Sequence, residues 1–148
     1  MMPATNHEEV RTGRLASEGE AITMIDHVGF AVADYKRSKA FYEKALAPLG
    51  FRLLMEFSGA AAGFGKSDGR RPSFFIEAHG EPARGRLHIA FSAESRAHVD
   101  AFHAAAIEAG GTDNGAPGLR PIYHPDYYGG YVLDLDGNNI EAVCHEPA

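Results

Sequence analysis

His27, His88 and Glu141 are the residues of this 148-residue chain whose types and placement point to shared chemistry. Two imidazoles and one carboxylate suit a divalent metal and leave coordination positions for water or substrate. Each lies in a segment that alternates like a strand, so parity tells which neighbours share its side. His27 shares its side with Ile25, Gly29 and Ala31, while Val28, Phe30 and Val32 point the other way. His88 has Ala90 and Ser92 beside it, with Leu87, Ile89 and Phe91 opposite. Small residues next to an imidazole leave room, as on a sheet face that lines a pocket. Glu141 shares its side with Val143, against Ile140, Ala142 and Cys144. A carboxylate in mid-strand is costly to bury unless a cation or a donor meets it.

The elements that hold these residues come in two copies. Residues 25–32 read as a strand, Asp34 as an N-cap, and Tyr35 to Leu49 as a helix closed by Pro48 and Gly50. Strands are expected near 51–57, 61–65 and 73–79. The order then recurs: Leu87 to Phe91 is a strand, and Val99, Phe102, Ala105, Ala106 and Ala109 line a helix ending at Gly110-Gly111. A shift of 61 positions superposes His27 on His88, Phe30 on Phe91, Phe41 on Phe102 and Gly50 on Gly111. Ile76-Glu77-Ala78 matches Ile140-Glu141-Ala142 at a shift of 64, which makes Glu77 the expected counterpart of Glu141. Such self-similarity marks a duplicated supersecondary unit. The expected fold is therefore α+β: two βαβββ modules (about 24–80 and 84–146) forming curled mixed sheets in one domain over 24–148. Residues 1–23 are read as a leader outside the core. The expected core includes Val28, Phe30, Phe41, Leu46, Leu87, Ile89, Phe91, Phe102 and Ile140.

Composition narrows the function. Hydrophobic residues make up 45% and charged residues 23%, which excludes wholesale disorder. A net charge of −6 argues against nucleic acid as a partner, since phosphate contact calls for a basic face. No apolar run is long enough to span a membrane, and residues 1–23 hold no apolar signal core, so a cytoplasmic location is expected. The single Cys144 excludes an intrachain disulfide and a Cys-based zinc site. Asp134, Asp136 and Asn138 imitate the start of a calcium loop, but the glycine comes too early and the closing Glu is missing.

Ile25-Asp26-His27-Val28, Leu87-His88-Ile89-Ala90-Phe91 and Asp134-Leu135-Asp136-Gly137-Asn138-Asn139-Ile140-Glu141 resemble the vicinal oxygen chelate superfamily. That superfamily includes glyoxalase I, fosfomycin and bleomycin resistance proteins and extradiol dioxygenases. The resemblance covers about 24–146 and implies that His27, His88 and Glu141 are metal ligands. The implied metal is Zn, Ni, Co, Mn or Fe(II). Glu77 matches the further Glu of glyoxalase I and is expected as a fourth ligand or a general base, while Tyr131 matches a pocket tyrosine of catalytic importance. Homodimers in which modules of different chains pair are common among such proteins, so a homodimer is expected here.

Departures bear on the substrate. Glyoxalase I typically grips glutathione with an Arg four residues after the first His, where this chain has Ala31. The segment Gly118 to Tyr128 resembles a little-characterised bacterial branch, and Arg120, His124 and Tyr128 are its candidate substrate contacts. A Pro-stiffened surface crossing is the alternative reading of that segment. His7, His98 and His103 are expected in solvent and His145 in a structural role. Three functions compete: a metal-dependent lyase, isomerase or dioxygenase acting on a small oxygen-rich substrate; a metal-free binder of a small molecule or antibiotic, like bleomycin resistance proteins; and a domain kept only for assembly.

Overall fold

A computed structural model describes residues 23–148, so the expected leader lies, except for Thr23, outside the described residues. The first module runs β1 (Val28–Ala31), α1 (Tyr35–Leu46), a 3₁₀ turn (Ala47–Leu49), β2 (Phe51–Phe57), β3 (Ala61–Lys66) and β4 (Phe74–Glu77). The second runs β5 (His88–Ser92), α2 (Arg96–Glu108), β6 (Thr112–Leu119), β7 (Tyr128–Leu133) and β8 (Asn139–Cys144). Each module makes a four-stranded mixed sheet, in the orders β1-β4-β3-β2 and β5-β8-β7-β6, as the α+β expectation requires. The first strand of each lies parallel to the last, and the remaining pairs are antiparallel.

Local chemistry sets the ends of the helices. The Asp34 carboxylate accepts from the Arg37 N–H at 3.1 Å, and Ser95 Oγ accepts from the His98 N–H at 3.3 Å. Gly50 and Gly110 close the helical segments with φ of 82° and 110°, values that side chains resist. Phe41, Tyr42, Ala45 and Leu46 of α1 and Val99, Phe102 and Ala106 of α2 are buried in one core with Phe64, Phe74, Ile76, Val132 and Ile140. The helices also touch each other, so both modules share this core. Phe30, Ile89 and Phe91 pack against its margin. Val28 is 40% exposed, because it begins an edge strand with no neighbour beyond it.

Two elements differ from the sequence reading. Strand β6, which the βαβββ pattern requires, was not located in the sequence, for Thr-Asp-Asn-Gly-Ala-Pro-Gly-Leu carries turn residues; it pairs with β7 through two register shifts around Gly115. The second difference is register. Val32 N–H bonds Glu77 O, and its counterpart Ala93 N–H bonds Val143 O. Gly29 pairs with Phe75, and its counterpart Ala90 pairs with Glu141. Phe75, not Glu77, therefore occupies the position equivalent to Glu141, and Glu77 sits two residues further along the same face.

At Gly111 the backbone approaches its surroundings too closely for a side chain. An added Cβ would lie 2.5 Å from Val132 Cγ1 and 2.9 Å from Ala106 O. Gly111→Ala is expected to lower stability by about 1–3 kcal/mol through overpacking. Urea unfolding would show this as a lower midpoint with an unchanged slope.

Candidate metal-binding half-sites

Helices cover one face of each sheet, and His27, Glu77, His88, Glu141 and Tyr131 stand on the other. On the first sheet, His27, Gly29, Phe57, Ala61, Phe75 and Glu77 line an open cavity of about 380 Å³. His27 Nδ1 lies 2.7 Å from Asp26 Oδ1, so the carboxylate accepts a hydrogen bond from Nδ1–H and Nε2 is turned to another partner. The Phe75 ring meets the imidazole edge-on at 5.6 Å.

The second sheet holds the more developed half-site. Glu141 is 1% exposed, and its Oε1 lies 3.2 Å from His88 Nε2. His88 Nδ1 faces the Asn139 carbonyl at 3.2 Å. The imidazole thus meets an acceptor at each nitrogen, whereas a neutral ring donates from only one. An imidazole nitrogen and a buried carboxylate oxygen set side by side would suit a divalent cation. The Tyr127 hydroxyl donates to Glu141 Oε2, leaving Oε1 turned toward His88. Burial and the Glu141 carboxylate push the Tyr127 phenol well above its ordinary range, and burial followed by Glu141 raises Tyr131. Both phenols therefore stay protonated at neutral pH and serve as hydrogen-bond donors.

Tyr127 was not singled out from the sequence, although parity points to it. Val132 is buried toward the core, so Tyr128 shares the helix-facing side, while Tyr127, Gly129 and Tyr131 share the open one. The Tyr128 hydroxyl accordingly donates to Asp100 of α2 at 2.6 Å, and Arg96 stacks over its ring. Gly129 keeps the space clear: a Cβ there would stand 3.0 Å from Glu141 Oε2. His124 lies behind Tyr127, edge-on to its ring, with Nε2 donating to His145 Nδ1 at 2.5 Å. Tyr131 stacks near His88 with ring centres 6.4 Å apart, and the Arg120 guanidinium lies 5.4 Å over the Tyr131 ring. His98 is exposed, but His103 is largely covered and bonds Asp113 at 2.9 Å.

The fold thus gathers His88, Glu141, Tyr131 and Arg120 on one sheet and His27 with Glu77 on the other. Among the described residues, no three His, Cys, Asp or Glu side chains converge as a metal site within the chain. No described helix is long and apolar enough to cross a membrane.

Residues 24–142 match the family described as Glyoxalase/Bleomycin resistance protein/Dioxygenase superfamily. The chain belongs to this superfamily. Among solved structures, a glyoxalase/bleomycin resistance protein from Albidiferax ferrireducens T118 is 33% identical, with a TM-score of 0.71 over 84% of this chain and 100% of that one. A glyoxalase/bleomycin resistance protein/dioxygenase family enzyme from Burkholderia phytofirmans PsJN is 22% identical, with a TM-score of 0.64 over 82% and 98%. A lactoylglutathione lyase from Agrobacterium tumefaciens is 18% identical, with a TM-score of 0.59 over 84% and 96%; at such identity the likeness is one of fold. No curated protein matches the chain.

Proposed function

We propose that this superfamily member is a metal-dependent enzyme whose centre joins His27 of one copy to His88 and Glu141 of a second. The carrying observation is the Glu141–His88 pair, a fully buried carboxylate against an imidazole whose other nitrogen already faces a carbonyl. Two further facts favour a second copy. β1 and β5, the strands nearest the two histidines, are both sheet edges, and such edges call for cover. Exposed Met24, Ile25 and Val28 lie at the start of β1 and offer apolar area to a partner.

With Phe75 at the position equivalent to Glu141, the centre has three protein ligands and keeps positions open for two substrate oxygens. Zn, Ni, Co, Mn and Fe(II) all accept this donor set. When bound, the ion supplies Lewis acidity that polarises the chelated oxygens. Tyr127 orients Glu141, and Tyr131 sets its ring near His88 and its protonated hydroxyl toward Tyr127. Glu77, on the wall beside His27, is placed to accept a proton from substrate. The substrate is accordingly small and oxygen-rich, and the reaction is of the lyase, isomerase or dioxygenase kind.

Elemental analysis after metal loading and desalting tests the reading. The wild-type chain is expected to retain about one divalent ion, and His88→Ala to lose it with its fold intact, because Ala90 and Ser92 flank the site. A wild-type chain that holds no metal yet binds small ligands would turn the reading to a metal-free binder.

A further inference from the structure

We propose that the ligand of this centre carries an anionic group, a carboxylate, that Arg120 binds on the opposite side of Tyr131 from His88. The inference rests on the proposed centre for the placing of the ligand's other end. Strand pairing sets Gly115, Tyr131, Glu141 and Ala90 in one row across the second sheet, with His88 on the same face as Ala90. Tyr131 therefore stands between the Glu141–His88 pair and the side chain that lies over β6. That side chain is Arg120.

Its position is built into the strand. Arg120 Nη2 donates to Ala116 O at 2.7 Å and Nη1 to Leu119 O at 3.3 Å, which pins the guanidinium along the β6 backbone. Glycines clear the ground beneath it: a Cβ at Gly118 would lie 3.0 Å from Nη1, and one at Gly115 3.5 Å from Nη2. The Tyr131 ring supports the cation at 5.4 Å. Arg120 forms no ion pair among the described residues, and its remaining N–H donors have no partner there. A guanidinium pinned by two backbone carbonyls, half-buried and without a counter-charge among the described residues, suits a planar oxyanion. Among the described residues, the cavity around His27 is lined by the Glu77 carboxylate and by no Arg or Lys, so it offers no competing guanidinium or ammonium.

Calorimetric titration with 2-oxoglutarate and with 2-oxopentanoate tests this. The two share a chelating 2-oxo acid and a chain length, and differ only in a distal carboxylate or methyl. The wild-type protein is expected to prefer 2-oxoglutarate by about tenfold or more, the usual worth of a charge-assisted hydrogen bond to Arg. Arg120→Met keeps the stem over Tyr131 and is expected to abolish the preference while leaving 2-oxopentanoate binding unchanged. A purely structural Arg120 would weaken both probes alike. Should the variant fail to fold, the wild-type preference must still shrink between about 0.01 M and about 1 M salt. Equal affinities, no binding of either probe, a preference that survives in Arg120→Met, or one insensitive to salt would overturn the proposal. Titrations are run with and without metal, so a chain that holds no metal overturns the centre while the Arg120 ratio is still read.

Discussion

Mixing His27→Ala subunits with His88→Ala subunits is expected to restore about a quarter of the wild-type metal sites, although each variant alone holds none. In a centre shared between copies, His27→Ala homodimers lack a ligand in both sites, and so do His88→Ala homodimers. A mixed dimer has one site missing both histidines and one site with the full set. Random reassortment makes half the dimers mixed, and half the sites in those are intact. The expectation follows from where the side chains stand. His88 contacts Glu141 at 3.2 Å within one sheet, while no three potential ligands converge within the chain among the described residues. Unfolding and refolding the variants together, then counting bound metal per chain, measures it. A centre formed within one chain would give no recovery, and that result would end the shared arrangement.

Asp134→Ala is expected to cost about 3–4 kcal/mol of stability, close to 10 °C in melting temperature for a domain of this size. Asp134 is 6% exposed and accepts the Tyr42 hydroxyl at 2.6 Å. It also accepts the backbone N–H groups of Asp136 and Asn138 at 2.9 Å each. Asn138 in turn bonds Ala83, Arg86 and Leu87 in the link between modules. Removing the carboxylate strands several buried donors at the junction of α1, the β7–β8 turn and the linker. The same pair sets an alkaline limit. Burial, then the charge of Asp134, raises the Tyr42 phenol well above its ordinary 10.0. The unfolded chain ionises near that value and the folded one does not. This contribution is complete below about pH 10 and is lost as pH rises further. Tyr42→Phe should flatten the fall in melting temperature above that pH. An equally steep fall in the variant would assign the alkaline limit elsewhere.

The Arg120 receptor and the shared centre together describe one ligand. Its chelating oxygens would meet the metal between two copies, and its distal carboxylate would reach across Tyr131. Ala31 leaves the first module without the Arg that glyoxalase I typically places there, so the proposed receptor would draw its cation from the second module.

Sequence alone was enough for what local chemistry determines. The duplicated order of strands and helix, the cap at Asp34, the glycines that end the helices and the face carrying His88 with Glu141 follow from short-range periodicity and backbone preference. Tertiary structure decided what depends on pairing at a distance. The match of Ile76-Glu77-Ala78 to Ile140-Glu141-Ala142 keeps the correct parity, and a slip of two residues leaves every side chain on its own face. Apolar patterning is therefore blind to the slip, and only the bonds of Val32 and Ala93 reveal that Phe75 takes the place opposite Glu141. β6 was hidden for a related reason: its pairing with β7 outweighs the turn preference of Asp-Asn-Gly and Pro-Gly. Tyr127 was within reach, because it shares parity with Tyr131, yet its hold on Glu141 also needs the bare backbone of Gly129. The separation of His27 from His88 within the chain lies beyond any local signal. It arises because one buried core binds the two helices and the backs of both sheets, leaving β1, which His27 precedes, and β5, which His88 begins, as open edges.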